Sequence, residues 1–368
     1  MKGVIRGGTN DTMKPVRVLV VDDSVVNRRV IAKLLSALPG VSVVGAAADG
    51  DEALQAAHAM DPDLITLDLE MPRMDGFTFL RLLMANRPTP VVVISSHAGR
   101  DHVFRALELG AIDFVAKPSR RLDESSQGVG EQLEKMVALV RGLSPKQLRK
   151  RPPPLLAADA ASRSRQSGIG SEAPAPPAPV IAIGASTGGP RALLQLFQAL
   201  PDGANAAIVV AQHMPERFTR TFAERLARQS AFRVREAAHR MVLMPGDGLV
   251  CPGGRRLELG RVGPALQTRV THPASTDRYA PSADRLLASV AAAAGEQAVG
   301  VILTGMGDDG ARGVREIKER GGRVLVESRD TAVLAGMPEA AIRTGCVDEV
   351  LELPKLIERV CQLVAPLR

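Results

Sequence analysis

The sequence predicts an α/β protein of two doubly wound parallel-sheet domains joined by a flexible linker. Three observations carry this. Short Val/Ile/Leu-rich runs alternate with amphipathic stretches in both halves, the pattern of a βα repeat whose strands are buried on both faces. Carboxylates and a glycine-framed serine follow those runs directly, at the strand ends where open parallel sheets place their ligands. Between the halves lies PKQLRKRPPPLLAADAASRSRQSGIGSEAPAPPAP, which has too few large apolar residues to offset its ordering entropy. The chain's 368 residues exceed one ordinary core and fit two. The expected boundaries are a disordered extension over 1–14, a first domain over 15–121, a helix and linker over 122–178, and a second domain over 179–368.

In the first half the strands are expected at Val16–Val21, Val41–Ala46, Leu64–Leu67, Val91–Ser95 and Asp113–Ala116. Leu133, Met136, Val137 and Val140 then recur at helical spacing, which predicts an exit helix. In the second half the strands are expected at VIAIG from Val180, at Ala206–Gln212, at Val299–Thr304 and at Arg323–Glu327, with a helix from Arg191.

Composition excludes several classes. With 45% hydrophobic and 24% charged residues the chain is globular. Its longest apolar runs fall far short of the roughly 20 residues a membrane span needs, so no direct membrane insertion is expected. The polar N-terminus MKGVIRGGTN lacks the apolar core of a secretory signal, and the expected location is cytoplasmic. Cys251, Cys346 and Cys361 have no metal-ligand spacing and read as reduced thiols. The net charge of +7 raises the question of nucleic acid. Seven basic residues against one acid between Arg141 and Arg165 place most of the excess in the tether, so no nucleic-acid partner is expected.

Asp22 and Asp23 follow the first strand and Asp68 the third, so the three carboxylates should converge in the crevice. Clustered carboxylates demand a cation, and a cluster without His or Cys suits a hard ion, Mg²⁺ before Ca²⁺ or Zn²⁺. Ser95 ends the fourth strand and Lys117 the fifth, where a hydroxyl and an ammonium can bind phosphoryl oxygens. Singly, each has a plain structural reading as a cap or loop residue. Together, VVDDS, TLDLEMPRMDG, VVVISS and VAKPS at four strand ends resemble response-regulator receiver domains. The resemblance implies a flavodoxin-like fold and phosphorylation of Asp68 by a histidine kinase. It also implies Mg²⁺ on Asp22, Asp23, Asp68 and the Glu70 backbone carbonyl, with Ser95 and Lys117 reading the phosphorylated state. Phe114 would be the aromatic switch residue, or simply a core phenylalanine.

GASTGGP, residues 184–190, follows the VIAI strand and precedes a helix. A serine at such a turn serves as nucleophile or, with its glycines, as a phosphate cradle. The Walker and dinucleotide patterns are absent. His213 ends the next strand, and TGMGDDG ends a third, so Ser, His and Asp occupy three strand ends. With HMPERFTRTFAERLA, MPGDGLVCPGGRRLEL and APSADRLL, these motifs resemble chemotaxis protein-glutamate methylesterases over Val180–Leu367. The resemblance implies a Rossmann-like catalytic domain needing no cofactor, with Ser186 as nucleophile, His213 as base and Asp309 as orienting acid. Asp308 is the neighbouring alternative to Asp309. Thr187 and the Met306 backbone N–H are candidates for the oxyanion site. The implied substrate is a glutamate methyl ester on a methylated chemoreceptor, with receptor glutamine deamidation beside it. It further implies that phosphorylating Asp68 relieves inhibition of the Ser186 crevice.

Arg278 and Tyr279 either shape the substrate cleft or cap and pack; His58, His97, His102, His239 and His272 read as surface or local structural residues. The rival functions are a DNA-binding regulator, a hydrolase of the same chemistry in another pathway, and a non-catalytic adaptor.

Overall fold

A computed structural model describes residues 14–95, 100–117, 127–142 and 178–365. His97, the expected N-terminal extension up to residue 13 and most of the expected linker lie outside them. The chain divides into two compact units, each built on its own sheet.

The first sheet holds β1 (Val16–Val21), β2 (Val41–Ala47), β3 (Leu64–Leu67), β4 (Val91–Ser95) and β5 (Asp113–Ala116) in the order β2-β1-β3-β4-β5. Pairing is parallel from β2 through β4. The connecting helices are α1 (Val25–Ser36), α2 (Gly50–Met60), α3 (Gly76–Asn86) and α4 (Arg100–Leu109), and α5 (Gln127–Gly142) follows β5. Every residue of β3 and β4 is buried, as a sheet covered on both faces requires. The helices start where short polar side chains satisfy the first free N–H groups: Ser24 accepts from Asn27, Asp49 from Asp51 and Glu52, and Asp75 from Thr78. The chain reverses direction across the sheet between β1 and β3, so Asp22, Asp23 and Asp68 flank the switch point.

The second sheet is larger. It comprises β6 (Val180–Ala185), β7 (Ala207–Gln212), β8 (Arg233–Glu236), β9 (Asp247–Val250), β12 (Ala298–Ile302), β13 (Arg323–Glu327) and β14 (Glu349–Leu351), ordered β14-β13-β12-β6-β7-β9-β8 and parallel throughout. β10 (Arg256–Val262) and β11 (Ala265–Thr271) form a separate antiparallel hairpin. The helices are α6 (Gly189–Ala199), α7 (Glu216–Gln229), α8 (Ala283–Ala294), α9 (Ala311–Glu319), α10 (Gly336–Ile342) and α11 (Leu353–Val364). All residues of β6, β7 and β12 are buried. The switch point falls between β6 and β12, with β7 on the far side of β6.

Several expected boundaries shift, three of them for identifiable local reasons. The helix expected from Arg191 begins at Gly189 because Pro190, with its fixed φ, suits the first turn. The strand expected to reach Thr304 ends at Ile302, since the Thr304 N–H turns away to the Glu327 carboxylate. β2 runs one residue further, to Ala47, whose carbonyl accepts the Asp22 N–H.

Leu287 on α8 is fully buried and packs over Gly300 of β12 and Gly313 of α9. Leu287→Ala should cost about 2–5 kcal/mol, read as an earlier denaturant midpoint for the second unit; a loss within error would place this contact outside the core.

Candidate active site and acidic cluster

In the first unit the expected carboxylates meet. One ligand oxygen from each of Asp22, Asp23 and Asp68 lies within 4.8 Å of the others, with Asp22 and Asp68 buried and Asp23 exposed. Lys117 donates to Asp22 Oδ2 at 2.8 Å and to Asp68 Oδ2. Burial pushes the Asp68 carboxyl up, the Lys117 ammonium pulls it down, and the nearby Asp22 charge adds to the rise. Burial opposes the charge on Lys117, yet Asp68 and Asp22 together raise it above its ordinary value. Ser95 is buried at the end of β4, and its carbonyl accepts the Lys117 N–H at 2.8 Å. The Glu70 N–H donates to Asp68 Oδ1 at 3.4 Å, which puts that peptide beside the cluster. Phe114 is buried on β5. Three carboxylates are an all-oxygen set whose donors fit Mg²⁺.

The second unit builds its site from three adjacent strand ends. Ser186 leaves β6, and its N–H donates to the Thr304 carbonyl beyond β12 at 3.0 Å. His213 leaves β7, and its N–H donates to the Ala185 carbonyl at 2.9 Å. The buried side chain of Gln212 ties these two turns, donating to the Ser186 carbonyl at 2.9 Å and the His213 carbonyl at 3.1 Å. The loop after β12 comes close to the serine because residue 305 is glycine; a Cβ there would lie 2.8 Å from Ser186 Cβ.

Asp309 ends that loop, buried, and pairs with His213 Nε2 through Oδ2 at 2.8 Å. The α8 N-terminus supplies its other donors: Ala283 N–H at 2.7 Å, Asp284 N–H at 2.9 Å and Ser282 Oγ at 3.2 Å. Burial alone would raise this carboxyl, but the hydrogen bond and charge of His213, with the two N–H donors, hold it below the usual range. Asp284, in the first turn of α8, returns the arrangement, its Oδ1 accepting from the Gly310, Arg312 and Gly313 N–H groups at 2.9 Å each, so an aspartate from each segment caps the helix of the other. Asp308, the alternative acid, points elsewhere: its carboxylate accepts from Arg278 at 3.1 Å and from the Tyr279 hydroxyl at 3.0 Å.

With Nε2 on Asp309, Nδ1 is the ring nitrogen left to accept a proton. Ser186 Oγ makes no hydrogen bond among the described residues, as resting catalytic geometries often show. The backbone N–H groups of Thr187 and Met306 likewise have no acceptor among the described residues, which leaves both available to an oxyanion. His272 sits against Arg255, and His58, His102 and His239 are exposed, in line with their surface reading.

Sequence reasoning missed Gln212, Ser282, Asp284 and Glu327. The available signals were polar residues closing apolar strands (AIVVAQ, RVLVE) and a Ser-Ala-Asp helix start. Glu327, at the end of β13, accepts from Thr304 N–H at 2.8 Å and from Thr331 Oγ1 at 3.0 Å. Thr304 Oγ1 in turn donates to the Thr187 carbonyl at 2.9 Å, so this acid braces the serine turn from behind. Burial pushes its carboxyl up to about 7 from an ordinary 4.5, the two hydrogen bonds only partly opposing. The native state therefore keeps a proton that the unfolded chain loses above its own, lower pKa. That stabilisation is complete below the unfolded value and is lost as pH rises through the folded one. The stability margin of Glu327→Gln over wild type should grow by roughly 3 kcal/mol from about pH 4 to about pH 8, measured by denaturation; a margin independent of pH would contradict the buried titration.

Residues 181–360 match the CheB methylesterase family, and residues 18–124 the response regulator receiver domain family. A protein-glutamate methylesterase/protein-glutamine glutaminase of Geobacter sulfurreducens is 45% identical over 362 residues, 95% of this chain and 98% of that protein. A protein of the same description from Anaeromyxobacter dehalogenans is 47% identical over 359 residues, covering 96% and 97%. Among solved structures, the Thermotoga maritima CheB methylesterase catalytic domain is 36% identical, covering 51% of this chain and 99% of that one at a TM-score of 0.49. With nearly half its residues identical to such relatives along almost the whole length of both, the chain belongs to the CheB family of receiver-linked methylesterases.

Proposed function

We propose that the second unit hydrolyses the γ-methyl ester of glutamate side chains on methylated chemoreceptors. It would deamidate receptor glutamines by the same acyl chemistry, and phosphorylation of the first unit would control both. The observation that carries this is the buried Asp309 carboxylate on His213 Nε2, beside the strand end that presents Ser186. The relatives' names supply the substrate class.

Ser186 Oγ attacks the ester carbonyl carbon while His213 Nδ1 takes the hydroxyl proton. The imidazolium that forms is balanced by Asp309, which keeps its charge. The oxyanion is received by the Met306 and Thr187 N–H groups. Collapse breaks the bond to the methoxy oxygen, which takes the proton from His213 and leaves as methanol; with a glutamine substrate the leaving group is ammonia. Water then gives a proton to His213 Nδ1 and attacks the acyl carbon, and collapse returns that proton to Ser186 and frees the glutamate.

In the first unit Asp68 accepts the phosphoryl group from a histidine kinase. Asp22, Asp23, Asp68 and the Glu70 carbonyl would hold Mg²⁺, which when bound supplies positive charge against the phosphoryl oxygens. Ser95 and Lys117 bind the phosphoryl oxygens that the modification adds, and Phe114 follows their rearrangement. The working boundaries are 15–121 for the receiver and 179–368 for the esterase. No helix among the described residues is long and apolar enough to cross a membrane.

The test follows methanol release from methylated receptor membranes, with and without acetyl phosphate. Ser186→Ala should abolish release, and Asp309→Asn should lower kcat by about 10²–10⁴-fold. Asp68→Asn should remove the increase that the phosphodonor produces. Release that survives loss of Ser186 would overturn the esterase reading, and stimulation that survives loss of Asp68 would overturn the control.

A further inference from the structure

His213 is held at its edge by Asp309, but one hydrogen bond leaves a ring free to rock about that axis. Its face is not open. The Tyr279 ring lies against it with centroids 5.0 Å apart and planes 6° from parallel. The tyrosine is itself fixed at its far end, where its hydroxyl donates to Asp308 Oδ1 at 3.0 Å. It also fits closely against the acid loop, since a Cβ on Gly307 would lie 2.5 Å from its oxygen.

The backbone that carries Tyr279 is pinned on both sides. Two residues before it, Asp277 accepts the Ala274 N–H at 2.9 Å and pairs with Arg256 at 3.1 Å and Arg285 at 3.1 Å. Three residues after it, Ser282 caps α8 and donates to Asp309. Arg278 shares the Asp308 carboxylate and lies 5.2 Å from the Tyr279 ring centre, so the charge beside the tyrosine is neutralised locally.

We propose that Tyr279 is a positioning residue for the esterase: its ring, stacked on the His213 face, holds the imidazole in the plane that points Nδ1 at Ser186. This rests on the esterase reading for its kinetic consequence but not for its geometry. Edge and face restraints together leave the imidazole one orientation. The face of the tyrosine also attracts positive charge, so the contact strengthens when His213 takes the serine proton. An interaction stronger in the transition state than in the resting enzyme raises kcat without tightening substrate binding.

The experiment compares wild type, Tyr279→Phe, Tyr279→Leu and Tyr279→Ala in the full chain by two readouts. The first is steady-state methyl ester hydrolysis on methylated receptor membranes. The second is the ¹⁵N-histidine spectrum, in which the His213 Nε2–H bonded to Asp309 gives a slowly exchanging signal. Tyr279→Phe, which keeps the ring, should retain the signal and stay within about 3-fold of the wild-type kcat. Tyr279→Leu, which fills space without a ring, and Tyr279→Ala should lose or broaden the signal and drop kcat about 10–100-fold, with KM changed less than about 2-fold. Leu and Ala variants that keep both signal and kcat would overturn the proposal, as would a Phe variant as impaired as they are. If wild type hydrolyses no ester, the function fails, and the ¹⁵N signal alone still decides whether Tyr279 positions the ring.

Discussion

Asp309 is a carboxylate removed from water, and the arrangement of the second unit follows from satisfying it. A buried carboxylate that keeps its charge must replace the hydrogen bonds of hydration, and Asp309 does so with four donors from two places. Ser282 and the first N–H groups of α8 come from one loop, and His213 Nε2 comes from the end of β7. Meeting that demand draws the β12 loop, the α8 N-terminus and the β7 end together at the switch point. The same loop carries Met306 and Asp308, so an electrostatic requirement at one buried atom pair also places the proposed oxyanion donor and the residue that accepts the Tyr279 hydroxyl. Asp284, capping α9 in return, makes the coupling mutual.

The first unit obeys the same rule. Asp22 and Asp68 are buried side by side, and Lys117 reaches both from the end of β5. Their mutual repulsion makes the cluster receptive to further positive charge, and the ammonium keeps it stable meanwhile. Under the proposed control, a phosphoryl group on Asp68 would change the charge that Lys117 must balance, and so would turn a covalent change of one side chain into a change of domain state.

Much of this was legible because parallel sheets concentrate function at strand ends. Asp22, Asp68, Ser95, Lys117, Ser186 and His213 each follow an apolar strand run, so strand prediction alone brought each to the carboxyl edge of its own sheet. Choosing Asp309 over Asp308 required more, since adjacent residues share a sequence position but point to different partners, His213 and Tyr279. What stayed hidden was contact between distant segments. Nothing in APSADRLL announces that its Ser and backbone N–H groups will meet a carboxylate 25–27 residues later. Glu327 and Gln212 were disguised as the last residues of apolar strands, where a polar side chain reads as emerging into solvent, whereas both are buried. The β10–β11 hairpin was also missed, although the alternating burial of its strands about the Gly263-Pro264 turn left a readable trace.

In the proposed mechanism these convergences make Ser186 a nucleophile with His213 as its base. This assignment is tested most directly by treating the full chain with a fluorophosphonate and locating the adduct by peptide mass spectrometry. A single adduct is expected on Ser186, slowed strongly by His213→Ala and by Asp309→Asn and unaffected by Asp308→Asn in its location. An adduct on another residue, or labelling of Ser186 at the wild-type rate without His213, would contradict it.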